Sequence, residues 1–306
     1  MLKSPRTSRT ILIYALTDLD GTANDEHLAE PLRLSSIGPA REAFAVLARS
    51  GIVTGICTAR STGEALHYRR ELGISGPLIS ENGAVLRFPD GSQRIFGDLT
   101  SLAAAAARIG ARLQRPIPNS MDLPGLEGVW ERERRGEAPA HLGHADIESL
   151  RRAADRSASC FLVGLSPAEK QIAAGVAREL GLTCFGDLLH LIPAGIDKGR
   201  ALQALNTHLL SAASDHRLRP EAVAPIVFGN GENDLPLFEQ ALNAGGAAVL
   251  VGDETAPGGF HFDTRRHQIP QGTLLIEGVS HGHAIQQSLP RLRDFLVERY
   301  GVSFPW

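Results

Sequence analysis

The sequence predicts an α/β protein: a parallel sheet wrapped by helices, with a smaller α+β unit inserted into the chain. Three observations carry this reading. Short apolar runs at 11–16, 52–57, 224–228 and 247–251 read as strands buried on both faces. Amphipathic stretches of helical length follow them, as right-handed β-α-β units require. Between residues 86 and 192 the pattern shifts to short strands around Gly and Pro turns, the mark of a separate small sheet. The expected division is therefore a discontinuous core, 1–85 and 193–306, with an insert at 86–192.

Composition narrows the classes of function. The chain has 306 residues, 43% of them hydrophobic and 21% charged, with a formal net charge of −3. That balance provides no basic field for nucleic acid; Lys3, Arg6 and Arg9 read as a short solvated arm. No apolar segment approaches the roughly 20 residues that span a bilayer, and the run at 11–16 is too short for a secretion signal. Three scattered cysteines, Cys57, Cys160 and Cys184, read as reduced thiols in apolar surroundings. A cytoplasmic protein with no membrane or nucleic-acid partner is the expectation, with its oligomeric state open.

Taken in order, the core opens with the strand at 11–16 and a helix over 36–50. Ala40, Phe44, Leu47 and Ala48 share one face of that helix, and Gly51 stops it. The strand 52–57 ends at Thr58-Ala59-Arg60, and Ser61-Thr62-Gly63-Glu64 is a capping box for a helix that Gly73 ends. A strand at 77–80 leads into the turn Glu81-Asn82-Gly83-Ala84, which needs only the glycine's freedom. In the insert, 94–96 reads as a strand, and Asp98 or Thr100 caps an alanine-rich helix to about Leu113. Residues 116–143 look irregular, 146–156 helical and 160–164 extended. Ser166-Pro167-Ala168-Glu169 starts another helix, and 183–185 with 188–192 form a strand pair. The core resumes with a helix carrying Leu202, Leu205 and Leu209, then the strands at 224–228 and 247–251. Residues 253–279 look irregular, and a helix over 280–300 is expected to break near Pro290, with His281 and His283 on the surface.

The chemistry-bearing residues sit where strands end or helices begin. Asp18 and Asp20 follow the first strand in Thr17-Asp18-Leu19-Asp20-Gly21-Thr22 and can point the same way along extended backbone. The carboxyl end of a parallel strand is where open α/β sheets bind ligands. Lys198 falls in the first turn of a helix, where the helix dipole disfavours a cation; that misfit suits an anionic ligand. The strand 224–228 runs into Gly229-Asn230-Gly231-Glu232-Asn233-Asp234, which lacks the third glycine of a dinucleotide fingerprint.

These stretches resemble the four motifs of the haloacid dehalogenase-like (HAD) hydrolases, in order. Asp18-Leu19-Asp20-Gly21-Thr22 resembles the first, Thr58 the second, Lys198 the third and 229–234 the fourth, with the insert between the second and third. The Glu81-Asn82-Gly83-Ala84 turn resembles the Cof-like branch, which carries a large α/β cap. Phe96 to Thr100, His190 and Gly195 to Gly199 look closest to the mannosyl-3-phosphoglycerate phosphatase family. The resemblance implies a Rossmannoid parallel core with a mobile inserted cap, and Mg²⁺-dependent hydrolysis of a small phosphorylated sugar or glycosyl-phosphoglycerate. It implies Asp18 as nucleophile, Asp20 as acid and base, and Thr58, Lys198 and Asn233 as holders of the phosphoryl group. Asp18, the Asp20 carbonyl, residue 230 and Asp234 are the implied metal ligands. One position departs from the pattern: Asn230 stands where an aspartate is expected, and Glu232 is the carboxylate near it in sequence that could substitute. A general sugar-phosphate phosphatase and a catalytically weakened binding module both remain open on these residues.

Overall fold

A computed structural model describes residues 2–3, 10–28, 32–122, 131–132, 135–136, 156–185, 189–211, 220–253, 259–260 and 268–302. Its strands, in chain order, are β1 Leu2–Lys3, β2 Thr10–Thr17, β3 Val53–Cys57, β4 Leu78–Ser80, β5 Val85–Arg87, β6 Gln93–Ile95, β7 Cys160–Leu162, β8 Leu182–Phe185, β9 Leu189–Pro193, β10 Ala222–Gly229, β11 Ala247–Gly252 and β12 Leu274–Ser280. The large sheet runs β12-β11-β10-β2-β3-β4-β5-β6, with β1 paired to β2 outside that path. From β12 to β4 every pairing is parallel; β5 and β6 add an antiparallel hairpin.

The strand composition follows from burial on both faces. In β2, Ile11, Ile13 and Ala15 enter one core while Tyr14 and Leu16 enter the other. Its neighbour β10 does the same, Ala224, Ile226 and Phe228 on one side and Val223 and Val227 on the other. The first core is closed by the helices Gly38–Arg49, Thr62–Glu71 and His281–Tyr300, the second by Lys198–Ser211 and Leu235–Asn243. Phe44 meets Phe228 edge to face at 5.9 Å between ring centres, joining the first helix to the middle of the sheet. Full burial of a side chain of this kind stabilises by about 1.5–3 kcal/mol. On Gly38–Arg49 the buried face is Ala40, Ala43, Phe44 and Leu47, whereas Ala48 is exposed, one step off the expected stripe.

The sheet order places the site. Strands β3 and β4 extend from β2 in one direction, and β10, β11 and β12 in the other. The reversal lies between β2 and β10, so a crevice opens at their carboxyl ends, where Asp18 and Asn230 stand. The Asp18 amide still donates to the Phe228 carbonyl at 2.9 Å, so the carboxylate begins where the ladder ends.

Four sequence expectations are corrected. The strand near 94–96 belongs to the large sheet, so that sheet continues through β6, past the expected boundary after residue 85. The stretch 253–279 contains most of β12; as an edge strand it buries only Ile276 and Ser280, and its apolar run is just Leu274-Leu275-Ile276. The last helix continues through Pro290, held by Leu289, Leu292 and Leu296 against the core. His281 turns inward at φ +56°, with Nδ1 3.3 Å from the Gly21 carbonyl and Nε2 3.4 Å from Asp25; only His283 is exposed. The expected helix at 146–156 lies outside the described residues except for Arg156.

The second unit is an antiparallel sheet, β7-β9-β8, backed by the helices Leu99–Arg112 and Pro167–Glu179. Asp98 caps the first of these, accepting from the Thr100 and Ser101 amides. A full Ser166–Glu169 capping box starts the second. A buried polar seam joins this unit to the core. Glu81 is fully buried at φ +54° and accepts from the Ser157 amide at 2.8 Å, the Ala158 amide at 3.1 Å and the Ser159 hydroxyl at 2.6 Å. Asn82 Nδ2 lies 2.9 Å from His190 Nδ1, whose Nε2 lies 3.2 Å from Arg156 Nη1. Arg156 also donates to the Ala59 carbonyl at 3.0 Å.

Two outcomes are expected from this seam. Glu81→Ala strands three donors and should lower unfolding free energy by about 3 kcal/mol or more, measured by urea denaturation. Burial, then the Arg156 charge, hold the His190 pKa well below its ordinary value. The unfolded chain therefore binds a proton below about pH 6.5 that the folded chain refuses, and stability falls as pH drops. The slope reaches about 1.4 kcal/mol per pH unit for this group, and His190→Gln should flatten that part of the stability–pH curve.

Candidate active site

The centre of the site is a buried ion triad. Lys198, at the start of its helix, has no exposed surface, and its Nζ lies 2.9 Å from Asp18 Oδ2 and 2.6 Å from Asp234 Oδ1. Burial disfavours the ammonium, but Asp18 and Asp234 outweigh it and raise the lysine pKa. Asp18 is pulled both ways. Burial, joined by the Asp234 charge, raises its carboxyl to about 7 against the opposing pull of Lys198.

The approach of Lys198 depends on a neighbouring turn. Gly83 has φ +97°, and a Cβ there would sit 2.1 Å from the Asp197 carbonyl oxygen and 3.0 Å from the Lys198 amide. A side chain at 83 would push the lysine's helix away from the sheet. The glycine of this turn thus has a positional role at the site as well as a conformational one.

Asp20 lies in different surroundings. Arg60 reaches it with Nη2 at 2.6 Å and Nε at 2.8 Å, and Arg33 Nη1 lies 3.3 Å away. Burial opposes its ionised form, but Arg60 first, then Arg33 and Asn24, hold the carboxyl below the usual Asp range. Arg60 is two residues past Thr58, whose buried hydroxyl accepts from the Arg60 amide at 3.2 Å. The short Thr58-Ala59-Arg60 link thus joins the strand-end threonine to the charge partner of Asp20. Neither arginine stood out in the sequence; an Arg two positions after a strand-end Thr was the only local signal for Arg60.

The turn at 229–234 is organised from within. Asp234 Oδ2 accepts from the Asn230 and Gly231 amides, both at 3.0 Å, while Oδ1 faces Lys198. The expectation that Asp234 is a metal ligand meets a carboxylate occupied with holding the lysine and the turn. Asn230 Oδ1 accepts from the Thr22 hydroxyl at 3.0 Å, and its Nδ2 lies 3.5 Å from Glu26 Oε1. Asn233 donates to Asn82 Oδ1 at 3.0 Å, linking this turn to the seam. Glu232 is exposed and lines a cavity of about 250 Å³ with Asn82, Asp197, Lys198, Asn233 and Leu235. A larger groove, about 600 Å³, lies along the alanine face of Leu99–Arg112 and touches none of the expected site residues.

All seven expected site residues therefore lie at one edge of the sheet, joined by a continuous set of contacts. As a place for a divalent cation, the donors on offer are oxygens: the Asp18 carboxylate, the Asp20 carbonyl and the Asn230 amide. That set suits a hard ion such as Mg²⁺, which completes its shell with water and substrate oxygens. Among the described residues no group of three Asp, Glu, His or Cys side chains forms a metal cluster. Asp20 and Asp234 are turned toward their cationic partners, so the fit rests on the mixed oxygen set.

Comparison with known proteins agrees with this geometry. The family described as haloacid dehalogenase-like hydrolase matches residues 15–102, the segment that holds Asp18, Asp20 and Thr58. A solved structure from Thermoplasma acidophilum superposes with a TM-score of 0.60 at 17% identity, over 92% of this chain and 98% of that one. A phosphatase of the same superfamily from Bacteroides thetaiotaomicron gives 0.58 at 16%, over 94% and 97%. The sucrose-phosphatase of Synechocystis sp. PCC6803, solved with sucrose and phosphate, gives 0.52 at 15%, over 92% and 97%. At these identities the likenesses show a shared fold. The family match thus covers the segment with the first two motifs, and the likeness in fold extends over the rest of the chain.

Proposed function

We propose that the protein is a Mg²⁺-dependent phosphatase that hydrolyses phosphomonoesters of small sugars through an aspartyl-phosphate. The observation that carries this is the buried Asp18–Lys198–Asp234 triad at the crevice between β2 and β10. A phosphate monoester is a dianion and repels an anionic nucleophile; a buried lysine against that nucleophile offsets the repulsion. Asp18, the Asp20 carbonyl and Asn230 would hold the Mg²⁺, which supplies further charge neutralisation at the phosphoryl oxygens.

The chain's own residues then have distinct parts. Asp18 attacks phosphorus, and the P–O bond to the leaving group breaks as the Asp18–phosphorus bond forms. Thr58, Lys198 and Asn233 hold the phosphoryl oxygens. Asp20 protonates the departing alkoxide and then takes a proton from the water that cleaves the aspartyl-phosphate. In the present arrangement Arg60 and Arg33 hold Asp20 ionised, the form needed for the second step. The first step needs Asp20 protonated and so drawn away from Arg60. The unit built on β7-β9-β8 serves as the cap over the site.

Substrate class is read from the cavity beside Lys198. Glu232, Asp197 and two asparagines line it beside Lys198, whose charge is already matched by Asp18 and Asp234; such a lining suits neutral hydroxyls better than a second acid. His190 is buried in the seam behind Asn82 and is not part of the cavity's lining. Both observations favour a phosphorylated sugar over a glycosyl-phosphoglycerate, and the likeness to a sucrose-phosphatase supports the same class.

Phosphate release across a panel of sugar phosphates and mannosyl-3-phosphoglycerate tests the choice; highest turnover on the phosphoglycerate would reverse it. Asp18→Asn should lose at least 1,000-fold in turnover (about 4 kcal/mol of barrier) with an unchanged circular dichroism spectrum. Retention of a tenth of the activity would remove Asp18 as nucleophile. Asp20→Asn should slow sugar phosphates far more than activated aryl phosphates, whose leaving groups need no proton. Equal losses on both would count against the acid role.

A further inference from the structure

We infer that Glu26 is what allows an asparagine to stand at position 230: its carboxylate orients the Asn230 amide and returns the negative charge that an aspartate there would carry. This rests on the reading that Asn230 faces Mg²⁺ together with Asp18 and the Asp20 carbonyl.

An aspartate offers a cation two equivalent oxygens. An asparagine offers an oxygen on one side and an NH₂ on the other, and half a turn about its last bond sets N–H donors against the ion. Both ends of the amide therefore need fixed partners. Thr22 Oγ1 lies 3.0 Å from the amide oxygen, but a hydroxyl can donate or accept and so does not choose the orientation. Glu26 does. Its Oε1 lies 3.5 Å from Asn230 Nδ2, and an ionised carboxylate only accepts.

The loop is shaped for this meeting. Gly21 has φ +72°, and a Cβ there would fall 2.0 Å from Asn230 Nδ2 and 2.6 Å from Glu26 Oε1. Only a residue without a side chain leaves the space in which the amide and the carboxylate face each other. Arg33 steadies the same segment, donating to the Glu26 carbonyl at 2.6 Å while its Nη1 lies 3.3 Å from Asp20. Glu232, nearest to Asn230 in sequence, is exposed and lines the cavity beside Asn82 and Lys198 instead. An aspartate at 230 would set two carboxylates against each other across this gap, a like-charge pair that resists double ionisation. Each residue accounts for the other: the neutral amide suits the glutamate, and the glutamate supplies the charge the amide lacks.

The test is Mg²⁺ binding to the full chain without substrate, by titration calorimetry at neutral pH. The proteins are the wild type, Asp18→Asn, Glu26→Gln, Asn230→Asp and the double variant Glu26→Gln/Asn230→Asp. Glu26→Gln should weaken binding by about 10–100-fold, the usual effect of removing a residue that orients a metal ligand. The double variant should return to within a few-fold of the wild type, because aspartate needs no orienting partner and carries its own charge. Asn230→Asp should gain less when made in the wild type than when made in the Glu26→Gln variant. If Asp18→Asn weakens binding but Glu26→Gln does not, the role of Glu26 is overturned and the metal reading stands. A double variant as weak as Glu26→Gln reduces Glu26 to a structural role and overturns the inference. A wild type that binds no Mg²⁺, or binds it no better than Asp18→Asn does, overturns both.

Discussion

The site depends on one constraint: a lysine with no exposed surface must keep its charge. An ammonium taken out of water costs several kcal/mol unless anions compensate. Lys198 meets Asp18 on one side and Asp234 on the other, so the buried ammonium is compensated from both. The triad thus ties three distant points of the chain, the end of β2, the turn after β10 and the start of the helix at Lys198, into one arrangement. Strand adjacency makes this possible. Because β2 and β10 are neighbours at the reversal of the sheet, Asp18 and the 230–234 turn share one crevice.

The two aspartates of the first motif, two residues apart, are driven in opposite directions. Asp18 is raised by burial and by Asp234 beyond what Lys198 can counter. Asp20 is lowered because two guanidinium groups outweigh its burial. Two carboxyl groups of one short turn thus differ in proton affinity. The division is made by partners from elsewhere in the chain: Lys198 and Asp234 for one, Arg60 and Arg33 for the other.

A second polar layer ties this chemistry to the smaller unit. Asn233 holds Asn82, Asn82 meets His190, and Arg156 joins His190 to the Ala59 carbonyl beside Thr58. Glu81 fastens residues 157–159 to the same turn. The turn at 81–83 therefore faces two ways. Its asparagine and glutamate grip the seam, and its glycine admits the backbone of Asp197 and Lys198. Hydrogen bonds thus join the smaller unit to the edge of the sheet that carries Thr58 and Asn233.

By itself the sequence determined the α/β class, the inner strands of the core, the helix cap at Ser166, and the strand-end positions of Asp18, Thr58 and Asn230; it left the cap at 98–100 open between Asp98 and Thr100. These depend on local periodicity, on backbone capping and on the order of residues next to one another, all of which a single chain displays directly. The edge strand β12 was hidden because its apolar run of three residues is short and a glycine follows it, and the unbroken last helix because core packing overrides proline's local penalty. Only the tertiary structure decided the rest: the inward turn of His281, the arginines on Asp20, the closure of Gly83 on Lys198 and the carboxylate opposite Asn230. Each of these is a pairing of charge or volume between residues far apart in sequence or across a loop, and its energy exists only once the sheet order has set the partners side by side.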